Sequence, residues 1–141
     1  MRCLVTGASG FAGGYLLREL ARAGHELFAT RRRGGSAATA PDGVAWRSLD
    51  LLEAPSVLRC VEEIAPEALI HLGAVTFVPE VERDRAHAYA VNASGTLHVL
   101  EALRLHAPGA RALLVSSSHV YAPAEGRLRE EAALGPASFY G

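Results

Sequence analysis

Apolar residues along the chain follow two alternating patterns: short runs of strand length, and longer stretches in which they recur at helical spacing. Cys3-Leu4-Val5 is the first short run. Phe11 to Ala23 follows with Leu16, Leu17, Leu20 and Ala21 in helical register, and Gly24 ends the helix. Glu26 to Thr30 reads as a second strand, Val44 to Arg47 as a third, Ala54 to Ile64 as a helix, and Ala68 to Leu72 as a fourth strand. Two helical stretches come next, Pro79 to Tyr89 and Val91 to His106. The second carries Leu97, Val99, Leu100 and Leu103 on the face expected to pack, and Pro108-Gly109 closes it before a strand over Ala112 to Ser116. Helices between strands act as crossover connections, so the pattern predicts an α/β domain with a doubly wound parallel sheet in three layers.

Two segments break the rhythm. Gly34 to Gly43, with Gly-Gly-Ser-Ala-Ala-Thr-Ala-Pro-Asp leading up to the last glycine, is a flexible loop by composition. Pro123 to Gly141 is polar and rich in Gly, Pro and Glu, and ends in Phe139-Tyr140-Gly141 without a closing strand or helix, which reads as a domain cut off at its C-terminal end. The whole of 1–141 is therefore expected to form one domain.

The first chemical signal is Thr6-Gly7-Ala8-Ser9-Gly10-Phe11-Ala12-Gly13, a G-x-x-G-x-x-G spacing between the first strand and the first helix. Such a turn brings backbone N–H groups and the positive end of a helix against a pyrophosphate, which predicts a dinucleotide site in a Rossmann-type fold. The alternative is a tight turn that needs glycine only for steric reasons.

A ribose-binding acid belongs about 20 residues further on, at the end of the second strand. Thr30-Arg31-Arg32-Arg33 occupies that place. Guanidinium groups suit a 2′-phosphate rather than a 2′-hydroxyl, so Arg31 and Arg32 point to NADP, with NAD as the other cofactor the loop could accept; a solvated charge run is the plainer reading. Asp50, after the third strand, could accept from an adenine amino group or cap the helix that follows, and the pattern favours neither.

Composition narrows the partners. The chain has 141 residues, half of them apolar and 21% charged, which suits one globular domain with a real core. A net charge of -1 gives no reason to expect nucleic acid or an anionic membrane. All fourteen basic residues are Arg and none is Lys. The two cysteines, Cys3 and Cys60, form no C-x-x-C pair and are expected to fill core space. His71, His98 and His106 have no partner at metal spacing, so no metal site is expected and each reads as a core or surface histidine. The N-terminus lacks a secretory apolar segment, and no run approaches the ~18 residues of a membrane span, so a soluble cytoplasmic protein is expected.

Taken together, Gly7 to Gly13, Asp50-Leu51, His71-Leu72-Gly73-Ala74, Asn92 to Thr96, and Ser116 to Tyr121 followed by Tyr140-Gly141 resemble the extended short-chain dehydrogenase/reductases that act on nucleotide sugars. These belong to the NAD-dependent epimerase/dehydratase group, and His71 to Glu80 looks most like the GDP-6-deoxy-4-keto-mannose reductases and GDP-mannose dehydratases. The resemblance implies that Gly7, Ser9, Gly10, Phe11, Ala12 and Gly13 surround the pyrophosphate, and that Arg31 and Arg32 hold the 2′-phosphate. It places Asp50 and Leu51 at the adenine and Leu72, Gly73 and Ala74 along the dinucleotide. Asn92, counted with the cofactor-binding residues, would order the active-site strands, and Ser117 and Tyr140 align with the catalytic Ser or Thr and Tyr. A nucleotide-sugar substrate is implied. Family members commonly pair through the two helices corresponding to 79–89 and 91–106, so a homodimer is compatible with the resemblance, and nothing in the hydrophobic pattern demands it.

Two departures shape the expected reaction. His119 stands where dehydratases carry an acid directly before the aliphatic-Tyr pair, which favours a 4-ketoreductase or an epimerase over a 4,6-dehydratase. The family's catalytic Lys, four residues past Tyr140, falls outside these 141 residues, as does the substrate lobe, so the chain by itself is expected to be inactive. A non-catalytic dinucleotide-binding module is the other reading. In the catalytic reading, Tyr140 supplies a proton to the carbonyl oxygen as hydride arrives, and Ser117 donates a hydrogen bond to the same oxygen. The plain alternatives are a strand end satisfying its own backbone for Ser116-Ser117-Ser118 and a surface aromatic for Tyr140.

Overall fold

A computed structural model describes residues 1–34 and 40–141. Half of the glycine-rich loop expected over 34–43, residues 35–39, lies outside the described residues. The first elements are β1 (Arg2–Thr6), α1 (Phe11–Arg22), β2 (Glu26–Arg31), β3 (Ala45–Ser48), α2 (Ala54–Ile64) and β4 (Ala68–His71). Beyond them come α3 (Val78–Arg83), α4 (Arg85–Tyr89), a π turn over Ala90–Ser94, α5 (Gly95–His106), β5 (Arg111–Leu114) and a 3₁₀ turn over Ser118–Val120.

The strands form a parallel sheet in the order β3-β2-β1-β4-β5. Strand order reverses at β1, which pairs β2 on one side and β4 on the other. In open α/β sheets, ligands lie beyond the carboxyl ends of the strands at this switch point. The fold is the expected Rossmann-type α/β architecture.

Alternation along β1 builds a core on each face. Leu4 packs with Leu69 against Val57, Val61 and Ile64 of α2 and Val99, Ala102 and Leu103 of α5. Cys3 and Val5, on the opposite face, join Leu27, Ala29 and Ile70 under Leu17 of α1. The two cysteines are free, buried, and divided between these clusters, and burial pushes both thiols above their ordinary pKa. α1 ends as expected, with Gly24 at a φ of 74° and the N–H of His25 donating to the Leu20 carbonyl at 3.1 Å.

Four details differ from the sequence-based expectation. The helix expected over Pro79–Tyr89 is two, α3 and α4, divided at Asp84, whose Oδ1 accepts from the His87 N–H at 2.9 Å and caps α4. The helix expected over Val91–His106 opens with the π turn, and α5 proper starts at Gly95. Leu97 and Leu100 do not pack: they are 56% and 39% exposed, while Val99, Ala102 and Leu103 point inward. Leu97 and Val99 lie roughly 200° apart around a helix, so the four residues never formed one stripe. The last strand covers Arg111–Leu114 rather than Ala112–Ser116, and lies at the sheet edge with Leu113 and Leu114 exposed.

Leu69, fully buried beneath α2 and α5, tests this assignment of the core. Leu69→Ala is expected to cost about 2–5 kcal/mol by urea unfolding, whereas Leu97→Ala stays within about 0.5 kcal/mol of the parent. Equal losses at the two positions would invert the packing described here.

Candidate active site

The glycine loop joins β1 to α1 where two backbones cross. Gly7 has a φ of 66°, and a Cβ there would lie 2.6 Å from the Gly73 backbone, in the loop after β4. Gly13 sits in the first turn of α1, where a Cβ would lie 2.1 Å from the Ala8 carbonyl oxygen. These contacts hold β1, α1 and β4 closer together than any side chain would permit. The N–H of Gly10 donates to the Gly7 carbonyl at 3.1 Å, and that of Ala8 to the Thr30 carbonyl at 3.1 Å, which ties the loop to the end of β2. No side chain caps α1. Its first-turn N–H groups and the positive end of its dipole therefore meet whatever occupies the loop. Ser9, Gly10, Phe11 and Ala12 are all exposed at this mouth, and the Phe11 ring packs on Tyr15 at 5.3 Å.

Arg31 ends β2 one residue beyond the Thr30 contact, and Arg32 follows, exposed. The Arg31 guanidinium lies over the Trp46 ring at 5.5 Å from its centroid, within cation–π range. Nothing in the sequence pattern flagged Trp46; its place opposite Ala29, two residues before Arg31 and on the same face, follows from strand register. Asp50 is not the cap of α2, whose N-cap is Glu53. Its Oδ1 instead accepts from the Leu52 N–H at 2.9 Å and folds the turn beyond β3. Leu51, next to it, is held through its carbonyl, which pairs with His98 Nδ1 at 2.7 Å.

At the inner end, Leu72, Gly73 and Ala74 follow β4. Asn92, in the π turn, clamps the same loop: its Oδ1 accepts from the Val75 N–H at 2.8 Å and its Nδ2 donates to the Val75 carbonyl at 3.0 Å. His71 is buried and engaged at both ring nitrogens, by Thr6 and Thr96, and burial pushes its pKa down. The sequence pattern alone marks it as an ordinary core or surface histidine. Its one available signal is placement, since Thr6 and His71 each end a strand directly before a loop.

One cavity of about 200 Å³ gathers the rest. Leu72, Gly73, Ala74, Asn92, Ser117 and Tyr140 all line it, although 22 residues separate Ser117 from Tyr140 and both lie far along the chain from Gly73. Ser117 Oγ accepts from the His119 N–H at 3.2 Å. The His119 ring meets the Tyr140 ring edge-on at 5.4 Å. A second cavity, of about 340 Å³, shares Asn92 and Tyr140 with the first and adds Tyr89 and Phe139. Among the described residues, no group of three His, Cys, Asp or Glu side chains is placed to hold a metal ion, and no helix is long and apolar enough to cross a membrane.

Residues 3–141 match the profile of the NAD dependent epimerase/dehydratase family. The chain belongs to this family. It is 36% identical over 141 residues to a dTDP-4-dehydrorhamnose reductase of Streptomyces griseus, an alignment covering 99% of this chain and 41% of that protein. A GDP-6-deoxy-D-mannose reductase of Pseudomonas aeruginosa is 38% identical over 120 residues, covering 85% of this chain and 35% of the relative. The crystal structure of a Thermus thermophilus UDP-glucose 4-epimerase in complex with NAD superposes with a TM-score of 0.87 at 30% identity, over 99% of this chain and 46% of that one. The chain thus spans less than half the length of these family members.

Proposed function

We propose that residues 1–141 are the dinucleotide-binding lobe of an NADP-preferring nucleotide-sugar oxidoreductase, a 4-ketoreductase or epimerase, with Ser117 and Tyr140 as its catalytic residues. The observation that carries this reading is the shared cavity, which Ser117 and Tyr140 line together with Leu72, Gly73, Ala74 and Asn92. The donor set fits a dinucleotide. The uncapped α1 N-terminus and the glycine loop suit its pyrophosphate, Arg31 and Arg32 a 2′-phosphate, Asp50 and Leu51 the adenine, and the loop after β4 the nicotinamide half. When bound, the nicotinamide supplies or accepts the hydride. Tyr140 then moves the proton at the substrate oxygen while Ser117 hydrogen-bonds that oxygen. The second cavity, opening beside Tyr140, is where a sugar nucleotide would extend.

His119 supports reduction or epimerisation over elimination of water, since an imidazole, not a carboxylic acid, stands beside Tyr140. A homodimer paired through the helices over 79–89 and 91–106 is supported by the exposure of Leu97 and Leu100 on α5.

Cofactor choice is tested by replacing Arg31 and Arg32 together with Ala. Charge-assisted hydrogen bonds contribute roughly 1.5–3 kcal/mol each, and exposure of Arg32 places its share at the lower end. NADP binding is expected to weaken by at least about tenfold while NAD binding stays within about twofold, as read by isothermal titration. Equal losses for the two nucleotides would remove the 2′-phosphate from this site.

A further inference from the structure

Four polar groups join the base of the glycine loop to the wall of the catalytic cavity. Thr6 Oγ1 lies 2.5 Å from His71 Nδ1, and His71 Nε2 lies 3.1 Å from Thr96 Oγ1. Thr96 Oγ1 in turn donates to the Asn92 carbonyl at 2.6 Å. Each hydroxyl carries one proton, so the direction of every bond follows. Thr96 spends its proton on the Asn92 carbonyl and can only accept from His71, which puts the imidazole proton on Nε2. The bare Nδ1 of a neutral ring then accepts from the Thr6 hydroxyl. Burial, which pushes the His71 pKa down, favours that neutral ring. Thr6 and His71 are among the few buried polar side chains of the described residues, and no buried side-chain nitrogen or oxygen there lacks a partner.

The chain of hydrogen bonds ends where the backbone departs from regular helix. Ala90–Ser94 is a π turn, and the Thr96 hydroxyl takes up the carbonyl of Asn92 within it. The Asn92 side chain is thereby aimed at Val75, whose N–H and carbonyl it satisfies together. Thr96, Asn92 and Gly73 all line the cavity that holds Ser117 and Tyr140.

We propose that His71 is a positioning residue: as a neutral, Nε2-protonated imidazole it transmits the placement of Thr6, at the base of the glycine loop, through Thr96 to Asn92 and the loop after β4, and so sets the half of the cleft that faces the nicotinamide. The proposal rests on the dinucleotide reading of the cleft. It predicts that damage to these hydrogen bonds harms recognition of the nicotinamide half and spares the adenosine half, because Gly7–Gly13, Arg31 and Asp50 lie outside them.

Two measurements on the 141-residue protein test it. Nitrogen chemical shifts of histidine-labelled protein at neutral pH should show His71 protonated on Nε2 and bare on Nδ1; the opposite tautomer, or a ring averaging between the two, overturns the proposal. NADPH, as the reduced dinucleotide, and 2′-phospho-ADP-ribose, the form of ADP-ribose that differs from it only by lacking the nicotinamide, are then titrated against three proteins. Thr96→Val should weaken the reduced dinucleotide by roughly tenfold, as loss of one buried hydrogen-bonded link implies, and leave 2′-phospho-ADP-ribose within about twofold. Thr96→Ser, which keeps the hydroxyl, should restore the parent affinity. Equal weakening of both ligands by Thr96→Val, unchanged binding of both, or failure of Thr96→Ser to rescue would each show that these groups do not position the cleft. If the parent protein binds neither ligand, the dinucleotide reading fails first and this role falls with it, a result distinct from a parent that binds both and a variant that changes nothing.

Discussion

Gly13→Val is expected to collapse both the stability of the protein and its affinity for dinucleotide. The added Cβ would meet the Ala8 carbonyl oxygen at 2.1 Å and the Ala8 carbonyl carbon at 2.5 Å. Both are backbone atoms that no rotamer change can move aside. Relief requires α1 to withdraw from the β1 loop, which separates Leu17 from Cys3 and Val5 in the core beneath it. Overpacking of this kind costs about 3 kcal/mol, and for a domain of this size that lowers the melting temperature by on the order of 10 °C. Withdrawal of α1 also carries its N-terminal N–H groups away from the pyrophosphate position, so dinucleotide binding should fall below detection in a calorimetric titration. Gly24→Ala separates sterics from conformation. Gly24, unlike Gly13, has a positive φ, 74°, but a Cβ there meets nothing within 4 Å, so its cost should stop at the backbone preference, about 1 kcal/mol. A Gly13 variant that melts within a degree or two of the parent and binds as well would show that the close approach of helix and loop is not needed.

Tyr140→Phe is the change expected to affect turnover most. In the longer enzyme of which residues 1–141 are the proposed dinucleotide-binding lobe, assayed with a 4-keto sugar nucleotide and reduced cofactor, loss of the phenol should lower kcat by about 10²–10⁴, the range for a positioned acid–base group. Binding of dinucleotide should change little, because the role proposed for the phenol is on charge that develops in the transition state. Ser117→Ala should lower kcat by about 10² or more for the same reason. His119→Ala should do much less: its backbone N–H, which donates to Ser117 Oγ, survives the substitution, and only the edge contact with the Tyr140 ring is lost. If Tyr140→Phe keeps the parent kcat, the proton comes from another group and the shared cavity has been misread as a catalytic one.

Much of this molecule follows from local sequence rules. Short apolar runs and helical spacing locate the strands and α1, α2 and α5, because each element must bury a stripe or face whose repeat is set by backbone geometry alone. The glycine loop is legible for the same kind of reason: a positive φ at Gly7 and backbone approach at Gly13 exclude other residues locally, and strand, loop and helix are contiguous in the chain. The cysteines' burial is equally readable, since short apolar runs place them in the core.

What only the tertiary structure decided depends on groups that meet from distant parts of the chain. The pattern leaves Asp50 between two roles, and the fold removes one, because Glu53 and not Asp50 begins α2. Helical spacing by itself separates Leu97 from Val99, and the packing of α5 decides that Val99, Ala102 and Leu103 take the inner side and leave Leu97 and Leu100 outward. Trp46 comes under Arg31 through the pairing of β2 with β3. His71 shows the limit most plainly. A histidine at a strand end has no distinguishing sequence mark, and its protonated nitrogen is set by Thr6 on β1 and Thr96 on α5, brought to it by the pairing of β1 with β4 and the packing of α5 over the sheet. Periodicity specifies which face of an element is buried; which polar groups share that burial is decided when the elements close on one another and each donor must find an acceptor.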